Sequence, residues 1–409
     1  MVRILISGAS IAGPVLAYWL TRHDFDVTVV ERAPTLRKTG GHAVDLFRPS
    51  MEISTKMGVL PRIEALATGT DTLRLYREGR HRPARIDLTK IVGAASDRHV
   101  EIMRDDLSEV YYEAGRDQVE YLFGDSITAI PPDGEVTFEH AAPRGFDIVV
   151  GADGLHSNVR RLIFGEEAGL TRFIGGYLAV VSAPKALADP GEMVVHVGAG
   201  RLAGIYSAEH LTDARALFMF RSKNELQYHH RDVMRQKELL RGTFTGMDPQ
   251  VDRWLDELDR TPTFYLDSIT QLQLDTWSSG RVTLVGDAGY CPGPAVGGST
   301  SLAVLGAYVL AGELARAHGD HIRAFAAYEQ EMRQPVLRSR AFARGAAKSL
   351  VPGSRAAVWA MTQAVRLVSL LPASLTRTAA KFNSKGVRMY DSMRVPDYTD
   401  VWQHSRHET

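Results

Sequence analysis

The beginning of the chain limits its fold more than any other feature, because a short apolar strand runs directly into a glycine turn and then a helix. Val2 to Ile6 is apolar and β-branched, and Ile11 to His23 places apolar residues at helical spacing. Val27 to Val30 is the next buried strand. Continuous apolar strands joined through a helix are typical of a parallel sheet covered on both faces, so we predict an α/β fold.

The turn has the spacing of the Rossmann dinucleotide-binding fingerprint. Gly8, Ser10 and Gly13 occupy its three glycine positions in Gly-Ala-Ser-Ile-Ala-Gly. The helix N-terminus, with the N–H groups of Ile11 and Ala12, is placed to bind a pyrophosphate. Ser10 stands where glycine is usual, and its side chain either crowds the phosphate or donates a hydrogen bond to it. An incidental turn is the alternative interpretation.

Glu31 ends the second strand at about the 20-residue spacing from Gly8 that is expected of a ribose-binding carboxylate. A carboxylate there repels a 2′-phosphate, so the site suits FAD or NAD rather than NADPH. The next residue, Arg32, is included among the predicted cofactor-binding residues. A solvated glutamate at a strand end is the competing interpretation.

Two later segments repeat the pattern of a strand followed by a turn. Phe146 to Gly154 and Arg281 to Asp287 each bring an Asp beside a Gly, and we predict one sheet assembled from these remote pieces. The stretch from Phe173 to Leu274 contains many short β-like runs and predicts a second, mostly antiparallel sheet, to which Asp71 to Asp97 also belongs. Helices follow from Ser299 onward.

With its glycine fingerprint, its Asp153-Gly154 segment and its Gly286-Asp287 segment in order, the chain resembles the class A flavoprotein monooxygenases. The resemblance extends to about Gln334. It implies FAD as cofactor, a role for Asp153 in binding both FAD and reduced nicotinamide, and a contact of Asp287 with the ribityl chain. The alternative interpretation is that each Asp has only a structural role in a turn at the end of a strand.

The same resemblance implies further cofactor contacts. Arg104 matches the arginine that precedes a helix and contacts the cofactor, and Gly40 to Leu46 matches a loop that borders the flavin. A helix N-terminus aimed at the pyrimidine end of the isoalloxazine would stabilise the anionic reduced flavin. The residues expected at that turn are Pro294, Gly297, Gly298 and Ser299.

Two residues depart from the family pattern near that turn. Tyr290 stands where His is usual, and Ser299 stands where Gly is usual, which puts the flavin contacts there in question. Cys291 is interpreted as a small buried hydrophobic residue rather than a nucleophile.

Segments in the middle and late chain are similar to the tetracycline-inactivating branch of the family. They are Phe218 to Lys223, Phe264 to Gln271 and Gly286 to Pro292, and Ser354 to Leu371 would be the counterpart of that branch's C-terminal helix. The similarity implies a polycyclic or phenolic substrate without identifying it.

These features together predict three parts. A discontinuous FAD-binding domain comprises residues 1–70, 98–172 and 275–345, a substrate-binding domain comprises 71–97 and 173–274, and a helical segment follows over 346–409. In the late helix Ile322 to Ala346, four arginines are interpreted as a solvated face, namely Arg333, Arg338, Arg340 and Arg344.

The mechanism that the resemblance implies needs little chemistry from side chains. NADPH or NADH would reduce FAD, oxygen would form a C4a-hydroperoxyflavin, and its distal oxygen would pass to an electron-rich carbon. Arg221 is the candidate for pairing with a substrate oxygen, and a structural ion pair is its alternative. A flavin-dependent reductase and a non-catalytic flavoprotein that binds a hydrophobic ligand are the competing functions. No Trp-x-Trp-x-Ile-Pro segment of a halogenase occurs.

Charge and composition indicate which classes of molecule the chain is expected to bind. The 409 residues carry 48 basic and 48 acidic side chains, so no strong field attracts nucleic acid or an anionic membrane. Small molecules are the expected partners, and the chain is expected to be a monomer or homodimer. The single cysteine, Cys291, fits a reducing compartment and predicts a cytoplasmic protein. We find no metal-ligand spacing in the sequence.

Overall fold

The first sheet is mainly parallel and is built from remote segments. The computed structural model describes residues 1–36, 40–88, 99–229, 232–261, 263–293, 298–370 and 385–404. The strands of this sheet are β1 (Arg3–Ser7), β2 (Asp26–Glu31), β7 (Glu120–Phe123), β11 (Ile148–Gly151), β17 (Ser278–Ser279) and β18 (Val282–Leu284). Their order is β17-β18-β11-β1-β2-β7, and only β17 pairs antiparallel. The predicted α/β fold is confirmed.

Helices pack against this sheet. They include α1 (Ala12–Leu20), α4 (Arg104–Gly115), α5 (Asn158–Phe164), α8 (Asp287–Tyr290), α9 (Ser299–Arg316) and α10 (His321–Leu350). Helix α1 contacts both α4 and α9, and α9 also packs against α10. Every residue of α9 from Thr300 to Ala315 is buried, because a helix enclosed on all sides needs apolar or small residues all round.

The second sheet has seven strands. They are β4 (Thr72–Arg77), β5 (Ala84–Asp87), β12 (Thr171–Pro184), β13 (Glu192–Gly198), β14 (Arg201–Tyr206), β15 (Asp213–Arg221) and β16 (Phe264–Leu272). Their order is β16-β12-β15-β14-β13-β4-β5, and only β13 and β4 pair in parallel. The predicted, mostly antiparallel second sheet is confirmed. Strands β4 and β5 come from the predicted segment Asp71 to Asp97, whose residues after 88 lie outside the described residues.

Each face of the seven-stranded sheet is covered differently. One face packs on α6 (Val233–Phe244) and α7 (Pro249–Asp256). The other face carries Leu178 and Met219, which pack against Ala343 near the end of α10. Helix α11 (Arg355–Leu370) covers the β4, β5 and β13 end, and it matches the C-terminal helix predicted over Ser354 to Leu371.

Short elements complete the described chain. Strands β3 (Ala43–Leu46) and β6 (Val100–Met103) pair antiparallel, and β8 (Ile127–Ala129), β9 (Glu135–Phe138) and β10 (Arg144–Gly145) form a small sheet. The remaining helices are α2 (Arg48–Lys56), α3 (Leu60–Ala65), α12 (Lys385–Asp391) and α13 (Thr399–His404). Within the ranges that the structure describes, no helix combines the length and apolar character needed to cross a bilayer.

The prediction that all four arginines of α10 face solvent is wrong for one of them. Arg340 is buried, whereas Arg333, Arg338 and Arg344 are exposed. Arg340 follows the buried Val336 by one helical turn, so it lies on the packed stripe of the helix.

Candidate active site

The turn between β1 and α1 is closed so tightly that two positions require glycine. Gly8 has a φ of +108°, and a Cβ there would lie 2.6 Å from the carbonyl oxygen of Ala152. A Cβ on Gly13 would lie 1.9 Å from the carbonyl oxygen of Gly8. Ile11 is the N-cap of α1, and no side chain of the described residues caps this helix. The first N–H groups of the helix are therefore available to an anionic group.

Ser10 links this turn to the start of α4. Its Oγ accepts a hydrogen bond from Arg104 Nη2 at 3.2 Å, and its carbonyl oxygen accepts one from Ser108 Oγ at 2.8 Å. Because the hydroxyl of Ser10 acts as an acceptor toward Arg104, its own proton stays available for donation to a phosphate.

Glu31 bridges the ends of β1 and β2. Its Oε2 accepts from the backbone N–H of Ala9 and its Oε1 from that of Ala33, each at 2.9 Å. The carboxylate therefore lies beside the glycine turn, at the edge where a Rossmann-like sheet binds a ribose. Its neighbour Arg32 is exposed.

Asp287 comes to the same place from a third segment. Burial raises the pKa of its carboxyl, while the positive charge of Arg104 and a hydrogen bond from the Cys291 thiol act in the opposite direction. Its neighbour Gly286 has a φ of +67°, and a Cβ there would lie 3.2 Å from Ala303 Cβ and 3.3 Å from Ala12 Cβ. The structure therefore brings the glycine turn, the start of α4 and the start of α8 together.

The turn before α9 is only partly described. The predicted contacts Pro294 and Gly297 lie outside the described residues. Gly298 has a φ of +79°, Ser299 begins α9, and a Cβ on Gly298 would lie 2.1 Å from the ring of Tyr390. Helix α12 thus packs directly on the turn that precedes α9.

The departure at Tyr290 has a packing explanation. A Cβ on Gly306 would lie 1.8 Å from the Tyr290 hydroxyl oxygen, so the glycine in α9 makes room for the phenol. Tyr328 donates to that hydroxyl at 3.0 Å. Tyr290 is buried and fills the interior between α8, α9 and α10. Cys291 is also buried, as predicted, and burial raises the pKa of its thiol.

The carboxylate of Asp153 accepts hydrogen bonds mainly from residues that follow it closely in the chain. Its Oδ2 accepts from the N–H groups of Asn158 at 2.9 Å and Val159 at 3.1 Å, and Ser157 Oγ donates to its Oδ1. Ser7 at the end of β1 lies 3.4 Å from Oδ2. These contacts join the start of α5 to the end of β1, and a cofactor contact of Asp153 stays a prediction.

Arg221 lies apart from this cluster. It is exposed at the end of β15, and its Nη1 lies 3.5 Å from the carbonyl oxygen of Val351, in the connection between α10 and α11. A Cβ on Gly353 would lie 2.5 Å from the same nitrogen. The structure gives Arg221 a contact with the chain itself, and its contact with a substrate stays a prediction.

The loop before β3 contacts helix α4 and the second sheet. Gly41 donates its N–H to Asp105 Oδ2 at 2.8 Å and accepts at its carbonyl from Arg215 Nε at 3.1 Å. Ala43 donates to the Tyr206 hydroxyl at 2.8 Å. Sequence reasoning placed this loop near the flavin but missed Arg215 and Tyr206, because only strand pairing shows which face of the sheet they share.

A polar network that sequence reasoning missed ties the Asp153 segment to β16. His156 Nε2 lies 2.9 Å from Asp267 Oδ2, and His156 Nδ1 lies 3.1 Å from Glu167 Oε1. Tyr265 donates to Asp267 Oδ2 at 3.2 Å, and Arg160 donates to Glu167 at 2.9 Å. The network joins the segment after β11 to the second sheet, and its members His156 and Asp267 are more than a hundred residues apart in the chain.

This network predicts a pH-dependent contribution to stability. Hydrogen bonds to Asp267 and then Glu167 raise the pKa of His156 to about 10. Since the pKa of an unfolded histidine is about 6.5, the contribution is complete below that pH and is lost as pH rises to about 10. We expect the difference in unfolding free energy between wild type and His156→Gln, measured by urea denaturation, to be larger at about pH 6 than at about pH 10. A difference independent of pH would contradict this assignment.

Comparison with known proteins agrees with the geometry. A family model described as FAD binding domain matches residues 1–343. The chain therefore belongs to this FAD-binding family. Homologues of the chain are FAD-dependent monooxygenases, and we assign the chain to that enzyme class with FAD as its cofactor.

Among its relatives, the uncharacterized protein Rv1260 of Mycobacterium tuberculosis is 41% identical over 343 residues, covering 83% of this chain and 92% of the relative. A flavin-dependent monooxygenase of Legionella longbeachae is 35% identical, covering 82% of this chain and 86% of the relative. The solved structure of tetracycline destructase Tet(51) is 30% identical, with a TM-score of 0.81, and covers 97% of this chain and 100% of its own.

Proposed function

We propose that this chain is an NAD(P)H-dependent FAD monooxygenase that hydroxylates an aromatic, phenolic or enolic polycyclic small molecule. The convergence of Ser10, Arg104 and Asp287 from three remote segments is the observation that supports this most. The apolar face of the seven-stranded sheet keeps Leu202 and Leu217 partly exposed beside the residues that pack on α10, which supports a flat hydrophobic substrate. A relative described as a tetracycline destructase supports a polycyclic one.

The residues present fit FAD. The N–H groups at the start of α1, from Ser10 to Gly13, would hold the pyrophosphate, and Glu31 would bind the adenosine ribose. Arg104 and Asp287 would hold the middle of the cofactor, and the turn from Gly298 would border its ring. The fit depends on the backbone approach that Gly8 and Gly13 allow.

Bound FAD would accept hydride from NADH or NADPH and activate oxygen for transfer of one atom to the substrate. The chain itself would orient the substrate and exclude water. The loop from Gly41 to Ala43 is suited to this task because helix α4 and the second sheet hold it in place. We propose that the substrate lies between this loop and the part of the sheet face that carries Leu202 and Leu217.

The test uses purified full-length protein. A flavin absorbance spectrum, followed by NADPH and NADH oxidation with tetracycline, phenol and 4-hydroxybenzoate, tests cofactor and reaction together. We expect nicotinamide consumption that depends on substrate and a product that has gained one oxygen atom. Consumption without a gain in product mass would indicate a reductase, and failure to retain added FAD would favour a binding protein.

Asp287 gives a prediction for cofactor affinity. Removing a carboxylate that bonds the cofactor should weaken FAD binding by about tenfold to a hundredfold in Asp287→Ala, because hydrogen bonds to charged groups are worth about 1.5–3 kcal/mol. Titration of the apoprotein by flavin fluorescence measures this. Asp275→Ala, an exposed aspartate on the β16–β17 connection, should bind FAD as wild type does. Equal affinities of the two variants would contradict the assignment.

A further inference from the structure

The backbone around His42 is fixed by contacts from both sides, although its imidazole is not. The carbonyl oxygen of His42 accepts from the backbone N–H of Arg104 at 3.1 Å. The neighbouring Gly41 and Ala43 are held by Asp105, Arg215 and Tyr206, as described above. Among the residues that the structure describes, none forms a hydrogen bond with the His42 ring. The fold therefore fixes the backbone position of His42 but gives its ring no hydrogen-bond partner among the described residues.

His42 is half-buried. Burial lowers the pKa of His42 to about 4; the charge of Arg104 lowers it further, and Asp45 opposes them. The ring is therefore neutral at neutral pH, with one N–H donor and one acceptor nitrogen. A half-buried imidazole whose nitrogens have no partner among the described residues can accept a hydrogen bond from a ligand or from water.

The strand pairing in the second sheet shows where the loop that carries His42 lies relative to the proposed substrate region. Tyr206 pairs with Arg215, Gly204 with Leu217 and Leu202 with Met219, so alternate residues of β15 share one face. Met219 and Leu217 belong to the apolar face that packs toward the end of α10, and the Arg215 side chain on the same face reaches the carbonyl of Gly41. His42 therefore lies at the margin of the proposed substrate region, on the side of the second sheet.

We propose that His42 recognises the substrate by accepting a hydrogen bond from its phenolic or enolic hydroxyl. This inference rests on the proposed function. A neutral imidazole nitrogen is a good acceptor for a hydroxyl, and it needs no change in protonation to act as one. A substrate lacking the hydroxyl would leave the nitrogen unsatisfied, so His42 discriminates between hydroxylated rings and their deoxygenated analogues.

The charged groups around the loop allow a statement about pH. Arg104 and Arg215 face it with positive charge, and Asp45 and Asp105 face it with negative charge. Because the ring titrates far below neutrality, substrate binding through His42 should not change between about pH 6 and pH 8.

The experiment uses the FAD-loaded protein, with His42→Ala, His42→Gln and the surface control His140→Gln, and the three probes named above. We expect His42→Ala to raise KM about tenfold for a probe that is turned over, with the FAD affinity unchanged. We expect His42→Gln, whose amide oxygen is also an acceptor, to recover part of this loss, and His140→Gln to match wild type.

A second measurement does not depend on activity. In protein labelled with ¹⁵N-histidine, resonances of the His42 ring are identified by their loss in His42→Gln, and we expect them to shift when the active probe is added. A shift on FAD loading alone, with none on probe addition, or an unchanged KM in His42→Ala would overturn the inference while leaving the monooxygenase proposal intact. If no probe stimulates nicotinamide consumption and none shifts these resonances, both the inference on His42 and the proposed function fail.

Discussion

Replacing Gly13 by alanine is expected to destabilise the protein by about 3 kcal/mol and to yield protein without FAD. A Cβ at this position would lie 1.9 Å from the carbonyl oxygen of Gly8, and that atom belongs to the backbone of a turn. Helix α1 would have to move away from β1 to relieve the clash. Because the N–H groups at the start of α1 are the proposed pyrophosphate site, this movement should also remove cofactor binding. Urea denaturation and the flavin absorbance of the purified protein measure the two effects.

Gly242→Ala is the matched control. Gly242 lies in α6 and a Cβ there meets nothing within 4 Å. Alanine should therefore stabilise the helix by about 0.5–1 kcal/mol and leave the bound FAD unchanged. Wild-type stability and flavin content in Gly13→Ala would show that the turn is not as closely packed as described, and the proposed pyrophosphate site would be lost with it.

The parts of the fold that sequence predicted best are those coded locally. The β1 strand, the glycine turn and α1 follow one another within about twenty residues, and steric limits at Gly8 and Gly13 leave few other conformations. Helix α9 begins at Ser299 as predicted, since a glycine turn precedes a long run of apolar residues. The interpretation of Arg340 as solvated failed because a charged side chain at a buried helical position breaks the usual pattern.

The candidate site was predicted only in part for a different reason. Glu31, Arg104 and Asp287 belong to motifs, so their spacing could be read directly. The contacts of His156 with Asp267 and of Arg215 with Gly41 join residues more than a hundred positions apart. No local pattern encodes such a pair, because it depends on the order in which strands assemble in the second sheet.

The side chain of Arg160 is a buried charge that joins two motif segments remote from each other in the chain. Its side chain is 1% exposed, and Nη1 donates to the carbonyl oxygen of Ala288 at 3.0 Å. Nη2 donates to the carbonyl oxygen of Leu155 and to Glu167. Arg160 thus connects, by a hydrogen bond, the segment after Asp153 to the residue that follows Asp287.

Arg160→Met is expected to destabilise the protein by about 3 kcal/mol, because the buried carbonyl oxygen of Ala288 and the partly buried one of Leu155 lose their donor, and an unsatisfied buried acceptor costs about 1–3 kcal/mol. Methionine keeps the aliphatic part of the side chain but not the volume of the guanidinium, so the loss combines the missing hydrogen bonds with a small cavity. Arg161→Met is the control, since Arg161 is exposed and bonds only the Asn158 side chain among the described residues; we expect a change within about 0.5 kcal/mol. FAD affinity should fall in Arg160→Met alone, because Asp287 loses the support of its neighbour. Equal stability of the two variants in urea denaturation would mean that the two motif segments hold together without this guanidinium.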